Sequence, residues 1–340
     1  MINSSNRIIL LGGSAGGLDA VMRVLAKLDA GLPTAVIVVL HLGEGPAQSI
    51  ENKIKKAGHY KAAYVREGEP IQPGKIYIAP PGYHTLVRND SLHLSNGPRV
   101  NLARPAIDLT FRSAAVAYGA AAIGVILSGM LDDGTAGLYA VARCGGLTVV
   151  QEPEDALYPD MPKNALACVQ ADHLLPATEI GGLLSHLVRV PAPPTIAIPD
   201  DIQLENNFDM STVDDMSQMD QLGSQVPLGC PECGGPLWEI KGKGPLRYRC
   251  HIGHSVNARI LLQEQNEEIE QSLWVALRTL EERARMQEKL ARWEEESGRE
   301  SLADSFYERA NESHAHAERI RQLLSQMRSL PQSPTLLEEG

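Results

Sequence analysis

Aromatic side chains make up only 4% of the 340 residues. A core built from this chain must therefore be aliphatic and alanine-rich. Cationic charge is also scarce, with 31 Lys and Arg against 42 Asp and Glu and a net charge of −11. No basic run stands out, which excludes a phosphate-binding nucleic-acid surface, since such surfaces need clustered Lys and Arg. Long apolar runs are missing too. Ile8 to Leu11 is too short for the core of a signal peptide. Val116 to Leu131 is broken by Gly119, Gly124 and Gly129 and runs into Asp132 and Asp133, whereas a bilayer span needs about 20 apolar residues. These absences predict a cytoplasmic protein without membrane insertion. Cysteine is sparse and odd in number: Cys144, Cys168, Cys230, Cys233 and Cys250. An odd count with three in one short segment excludes a secreted disulfide framework, and Cys144 and Cys168 read as small buried hydrophobes.

What is present alternates. Short β-branched runs are followed by amphipathic stretches, the signature of βα units around a parallel sheet. Strands are predicted at Ile8 to Leu11, Thr34 to Leu40, Ile76 to Ala79, Ala121 to Leu127 and Leu147 to Gln151. Helices are predicted at Leu18 to Leu28, Ala106 to Tyr118, Thr135 to Arg143 and Gly181 to Val188. Asn89-Asp90 marks a hairpin between Thr85 to Val87 and Leu92 to Leu94. The fold class that follows is α/β, a three-layer α/β/α doubly wound and mostly parallel sheet over residues 1–190.

Past Pro191 the character changes. Residues 191–225 hold seven acidic residues and neither Lys nor Arg, and read as an acidic flexible linker. Residues 226–256 form a cysteine-rich, zinc-ribbon-like module. Residues 257–328 are charged with helical period. Leu273, Leu277, Leu280 and Ala284 line one face, and Leu302, Phe306, Ala310, Ser313, Ala317, Ile320 and Leu324 line another, with Gly298 at the turn. This predicts an α-helical hairpin, or self-association through a coiled coil. Residues 329–340 read as a disordered tail.

Three polar groups sit at the ends of predicted strands. Gly12-Gly13-Ser14-Ala15-Gly16-Gly17 matches the G-x-S-x-G nucleophile elbow between a strand and a helix. The helix N-terminus behind Ser14 favours a developing oxyanion; the competing reading is a Gly-rich phosphate loop. His41 ends the strand of Thr34 to Leu40 and is placed to act as base for Ser14. His84, after a second strand, is its rival. A carboxylate from Asp132 or Asp133 follows the strand of Ala121 to Leu127 and would orient the Nδ1–H of the base, unless it merely caps the next helix. Spacing does not choose between the two.

The stretches Gly13-Ser14-Ala15-Gly16-Gly17, the strand ending in His41, Tyr77-Ile78-Ala79-Pro80, Arg104-Pro105-Ala106-Ile107-Asp108, Gly124 to Met130 with Asp133-Gly134, and Met161-Pro162-Lys163 occur in order across residues 7 to about 188. In this the chain resembles the catalytic domain of the CheB-type protein-glutamate methylesterases. The resemblance implies Ser14 as nucleophile, His41 as base, Asp133 as the carboxylate, and an oxyanion hole from the backbone N–H groups of Met130 and Ala15. No catalytic cofactor is implied, and the implied partner is a methylated chemoreceptor or related signalling protein. The receiver domain that precedes the family's chemotaxis enzyme has no counterpart before residue 7, so control by its phosphorylation is not expected here. Two departures stand out: Ala15 where the family has Thr, and Leu131 where it has Gly. They keep two other readings open, an esterase or glutamine amidase acting on another protein, and a weakened regulatory scaffold.

In the cysteine-rich module, Cys230-Pro231-Glu232-Cys233 precedes Cys250-His251-Ile252-Gly253-His254. Three thiolates and one imidazole make a closed tetrahedral zinc site. Cys230, Cys233 and Cys250 are the sulfur ligands, and His254, with His251 as its alternative, is the fourth. A segment this short has little core of its own, and metal binding supplies the deficit.

Overall fold

In the computed structural model the described residues are 7–41, 47–57, 60–194, 196–210, 216–242 and 244–329. The chain forms two compact units, Met1–Leu261 and Leu262–Gly340. The strands of the first unit's catalytic part are β1 (Ile8–Gly13), β2 (Ala35–Leu40), β3 (Lys61–Tyr64), β4 (Glu69–Pro70), β5 (Lys75–Ile78), β6 (His84–Arg88), β7 (Ser91–Ser95), β8 (Ala122–Ile126), β9 (Leu147–Gln151) and β10 (His173–Leu175). The helices between and after them are α1 (Gly17–Leu25), α2 (Ala47–Ala57), α3 (Ile107–Tyr118), α4 (Thr135–Arg143), α5 (Asp160–Cys168) and α6 (Ala177–Leu187).

Seven strands form one sheet in the order β10-β9-β8-β1-β2-β5-β3, and every pairing in it is parallel. Strand alternation divides the core in two. Ile8, Leu10, Ile37 and Val39 point to one face with Phe111 of α3, Leu138 of α4 and Met161 of α5. Ile9, Leu11, Val36, Val38 and Leu40 point to the other with Val21 and Leu25 of α1, Ile54 of α2 and Ile180 of α6. Two buried faces explain why β1 and β2 carry uninterrupted apolar runs. Each such Leu, Ile or Val side chain contributes about 1.5–3 kcal/mol on burial. After β1 the chain builds one side of the sheet through β2, and it later returns to build the other through β8. The crevice at this reversal is the topological switch point where doubly wound folds bind ligands. The predicted hairpin is β6–β7, with Arg88 opposite Ser91 and positive φ at Asn89 and Asp90, the conformation that a two-residue turn of this kind needs.

From Asp200 on, the stretch expected to be a flexible linker is folded wherever it is described. It carries α7 (Asp200–Met210) and α8 (Met216–Leu222); residues 195 and 211–215 lie outside the described residues. Phe208, Met219 and Leu222 pack with Trp238. Two of the acidic residues are buried in ion pairs. The Arg112 guanidinium donates to Asp209 Oδ2 at 2.9 and 2.5 Å and lies 3.1 Å from Glu205 Oε1. Arg247 and Arg249 reach Glu205 and Asp209 at 2.8 and 2.6 Å. Glu205 and Asp209 are thus matched by arginines from outside the segment.

The cysteine-rich part is a four-stranded antiparallel sheet of β11 (Gly223–Gly229), β12 (Pro236–Ile240), β13 (Arg247–Cys250) and β14 (Ser255–Asn257). Beyond it run α9 (Ala258–Glu296) and α10 (Glu300–Ser329), which close as a hairpin through Leu277, Ala317 and Leu324, with Gly298 at φ 73° in the turn. The buried stripe of α10 includes Ala303, while Leu302, expected on that face, is 49% exposed. Most of the tail read as disordered, residues 330–340, lies outside the described residues. Cys144 is buried as expected, but Cys168 is exposed. Among the described residues no helix is long and apolar enough to cross a membrane.

Candidate active site and Cys/His cluster

Parallel pairing sets Gly13 opposite Leu40, so Ser14 and His41 are each the next residue along adjacent strands, about 5 Å apart at the backbone. The His41 N–H donates to Gly13 O at 3.2 Å, and the Ser14 N–H donates to Ser128 O at 3.0 Å. The elbow turns at Gly16, whose φ is 72°. Across the crevice, Gly129 comes so close that an added Cβ would meet Met161 Sδ at 1.9 Å and Ser14 Cβ at 3.0 Å. The Ser128 hydroxyl donates to Ala15 O at 2.8 Å, which ties the elbow to the loop after β8.

The imidazole of His41 donates from Nε2 to Asp133 Oδ2 at 2.8 Å. The expected Nδ1 contact is thereby reversed, and Nδ1 is the ring nitrogen left to accept a proton. Among the described residues no hydrogen bond engages the Ser14 hydroxyl, nor the N–H groups of Ala15 and Met130.

Between the candidate carboxylates the geometry separates Asp133 from Asp132. Asp133 is buried and accepts from His41, from Asn101 Nδ2 at 2.8 Å, and from the backbone N–H of Ile107 at 2.7 Å and of Asp108 at 3.3 Å. Burial pushes its pKa up, but these donors outweigh it and hold the carboxyl below its usual range. The positive end of α3 adds to them. Asp132 is pushed up to about 6 by burial, and its Oδ1 has no hydrogen-bond partner. Asp133 does not cap its own helix. That task falls to Asp108, whose Oδ1 accepts from the N–H groups of Gly134 and Gly137 at 2.9 and 2.6 Å. The two helices therefore exchange capping carboxylates, and Asn101 bridges both, reaching Asp108 Oδ2 at 2.8 Å.

The rival base, His84, is committed elsewhere. It donates from Nε2 to Pro98 O at 3.0 Å and accepts from the Ala106 N–H at 3.2 Å, and burial pulls its pKa below the usual range. A cavity of about 460 Å³ opens beside His41, lined by Pro81, Arg99, Leu102 and Arg104 among others. Leu131 occupies the left-handed region at φ 62°, so the loop keeps the backbone turn that Gly favours. Asn101, at φ 52°, and Asp108 are the site residues that sequence reasoning missed. An Asn in a loop carries no periodic signal, although Asn tolerates this conformation better than most residues.

In the cysteine-rich sheet, Cys230, Cys233, Cys250 and His254 converge, with one ligand atom from each lying within 4.8 Å of all the others. Cys233 Sγ and Cys250 Sγ are 3.8 Å apart, and Cys250 Sγ and His254 Nδ1 are 3.5 Å apart. A tetrahedron with Zn–S of about 2.3 Å and Zn–N of about 2.0 Å has edges of roughly 3.8 and 3.5 Å, so the donor set fits zinc. His251 lies outside the cluster, and its Nδ1 is buried without a partner.

Residues 9–184 match the model of the CheB methylesterase family. The chain belongs to that family. By this membership it is an esterase. A provisionally named protein-glutamate methylesterase/protein-glutamine glutaminase of Leptospira interrogans is 36% identical over 180 residues, which cover 53% of this chain and 93% of the relative. A similarly named protein of Chromohalobacter salexigens is 36% identical over 185 residues, 53% of this chain but only 52% of its own length. The crystal structure of the Thermotoga maritima CheB methylesterase catalytic domain superposes with a TM-score of 0.51 at 31% identity, covering 54% of this chain and 98% of that one. Each of these matches covers little more than half of this chain.

Proposed function

We propose that the chain hydrolyses methyl esters of glutamate side chains on a chemoreceptor-like signalling protein in the cytoplasm, with Ser14 as nucleophile, His41 as base and Asp133 as the carboxylate that orients it. The observation that carries this reading is the His41–Asp133 hydrogen bond of 2.8 Å, one strand over from Ser14 and at the same register step. Asp133 holds the Nε2–H tautomer, so His41 Nδ1 takes the Ser14 proton as Oγ attacks the ester carbonyl. The N–H groups of Ala15 and Met130 receive the oxyanion. His41 then returns the proton to the departing methanol, and water, activated by the same ring, releases the glutamate carboxylate from Ser14. A primary amide would follow the same course with ammonia leaving, as the names of the relatives suggest. Arg99 and Arg104 beside the cavity suit an acidic polypeptide.

Cys230, Cys233, Cys250 and His254 would hold one zinc ion in a closed structural site, where it stabilises the sheet of β11 to β14. The test of the hydrolase reading is methanol release from methylated receptor membranes. The full chain is expected to release methanol, and Ser14→Ala is expected to release none above background. Release by Ser14→Ala at the parental rate overturns the assignment. Elemental analysis of the same preparation is expected to find about one zinc per chain.

A further inference from the structure

The cysteine-rich sheet does more than lie beside the hydrolase. Its last strand, β14, begins at Ser255, directly after His254 of the Cys/His cluster, and runs along the loop that supports Asp133. The Asn101 N–H donates to Ser255 O at 2.8 Å, and the Ser255 N–H donates to Arg99 O at 3.3 Å. The Asn257 N–H donates to Asn101 Oδ1 at 3.0 Å. This bond decides which way the Asn101 amide faces. An amide has one accepting and one donating end, and with Oδ1 engaged by Asn257 only Nδ2 is left for Asp133 Oδ1 and Asp108 Oδ2.

A second set of bonds reaches the loop that carries Met130. Asn257 Nδ2 donates to Asp132 O at 3.2 Å. Arg259 donates to Asn164 Oδ1 at 2.7 Å, and Asn164 Nδ2 donates to Leu131 O at 2.7 Å. Leu131 and Leu102, both at positive φ, pack against the module's own core of Leu237, Tyr248 and Val256. Of the carbonyls on the C-terminal side of Met130, Asp132 O is therefore held directly from β14, and Leu131 O is held by Asn164 of α5, which in turn accepts from Arg259.

We propose that β14 of the Cys/His module is a working part of the active site, with Asn257 as a positioning residue. Its backbone fixes the amide of Asn101, and hence Asp133, while its side chain fixes the Met130 loop. The Cys/His cluster upstream keeps this strand in place, so hydrolysis depends on an intact cluster. The inference rests on the hydrolase reading above.

The test is the rate at which a fluorophosphonate probe labels Ser14 in the full chain, followed across pH, together with amide hydrogen exchange. Asn257→Ala removes the hold on the Met130 loop, whereas Cys233→Ser, or zinc removal by a chelator, loosens the whole strand. Each is expected to slow labelling about tenfold or more, because small misplacements of catalytic groups are costly. Asp133 faces His41, Asp108 and Asp132. Without the Asn101 donor it binds the protonated His41 ring more tightly, so in Cys233→Ser the acid limb of the labelling profile moves to higher pH. Exchange at the Ile107 and Asp108 amides, which donate to Asp133, is expected to quicken on zinc removal.

Labelling of Asn257→Ala and Cys233→Ser at the parental rate, with an unmoved pH midpoint, overturns the proposal. Unchanged exchange at Ile107 and Asp108 also overturns it, and that readout stands even for a variant too unstable to label. If the parental chain itself is never labelled, the hydrolase reading is what fails, and the exchange experiment still decides whether the module holds this loop.

Discussion

The seven-stranded sheet and the four-stranded sheet beside it are stabilised by different means. The larger sheet buries apolar side chains on both faces, and its polar groups gather at one rim. The smaller has a core of Cys230, Leu237, Tyr248, Cys250, Val256, Ile260 and Leu261, two of them metal-ligand candidates. It is joined to α3 and α7 by the buried ion pairs of Arg112, Glu205, Asp209, Arg247 and Arg249. The larger sheet sets Ser14 and His41 side by side through its own strand pairing. The smaller one leans on its neighbour through these ion pairs, and its Cys/His cluster offers a donor set that fits zinc.

Four perturbations sharpen this contrast, from the largest expected effect to the smallest. Ser14→Ala or His41→Ala is expected to lower turnover by on the order of 10⁴-fold or more, while circular dichroism and the melting temperature stay near parental. A large loss of structure would place these residues among the groups that hold the fold.

Cys250→Ser removes one sulfur from the cluster, and structural zinc contributes on the order of 10 kcal/mol or more. Hydrogen exchange is expected to quicken throughout β11 to β14 but not in β1, β2 and β8. Uniform loss of protection would erase the distinction between the two sheets.

Arg112→Ala strips one cation from two buried carboxylates. Such a broken pair costs about 3–5 kcal/mol, read as a lower midpoint in chemical denaturation. An unchanged midpoint would mean that Arg247 and Arg249 alone neutralise Glu205 and Asp209.

The smallest effect is a pH dependence. Asp108 is pushed up to about 7 by burial and by the charge on Asp133, whereas an unfolded Asp titrates near about 3.9. Between these values the folded chain holds a proton that the unfolded chain has released, so this group's contribution to stability falls as pH rises from about 4 to about 7. Asp108→Asn lacks that proton. The stability of the parent minus that of the variant is expected to decline across the window, and a flat difference contradicts the assignment.

Much of the candidate site could be read from local pattern. Ser14, His41 and the Asp132-Asp133 pair each follow a run of apolar or β-branched residues, and strand ends gather at one rim in a parallel sheet. The choice of Asp133 came from family resemblance, and the geometry supports it because α3 brings the Ile107 and Asp108 N–H groups to that carboxylate and not to Asp132. What was not legible lies in contacts between distant residues. Asn101 gains its role only when β14, 156 positions away, donates to it. Residues 191–225 looked disordered because their acidic residues have no cation nearby in sequence, yet Arg112 stands 97 positions from Asp209. The nitrogen by which His41 meets Asp133 depends on ring orientation, which no spacing encodes.

The most direct test of the proton-transfer chain is peptide mapping after fluorophosphonate treatment of the parent, His41→Ala and Asp133→Asn chains. The account predicts stoichiometric label on Ser14 in the parent, none above background in His41→Ala, and slow partial label in Asp133→Asn. Label on a different serine, or equal labelling of Ser14 in all three chains, would contradict it.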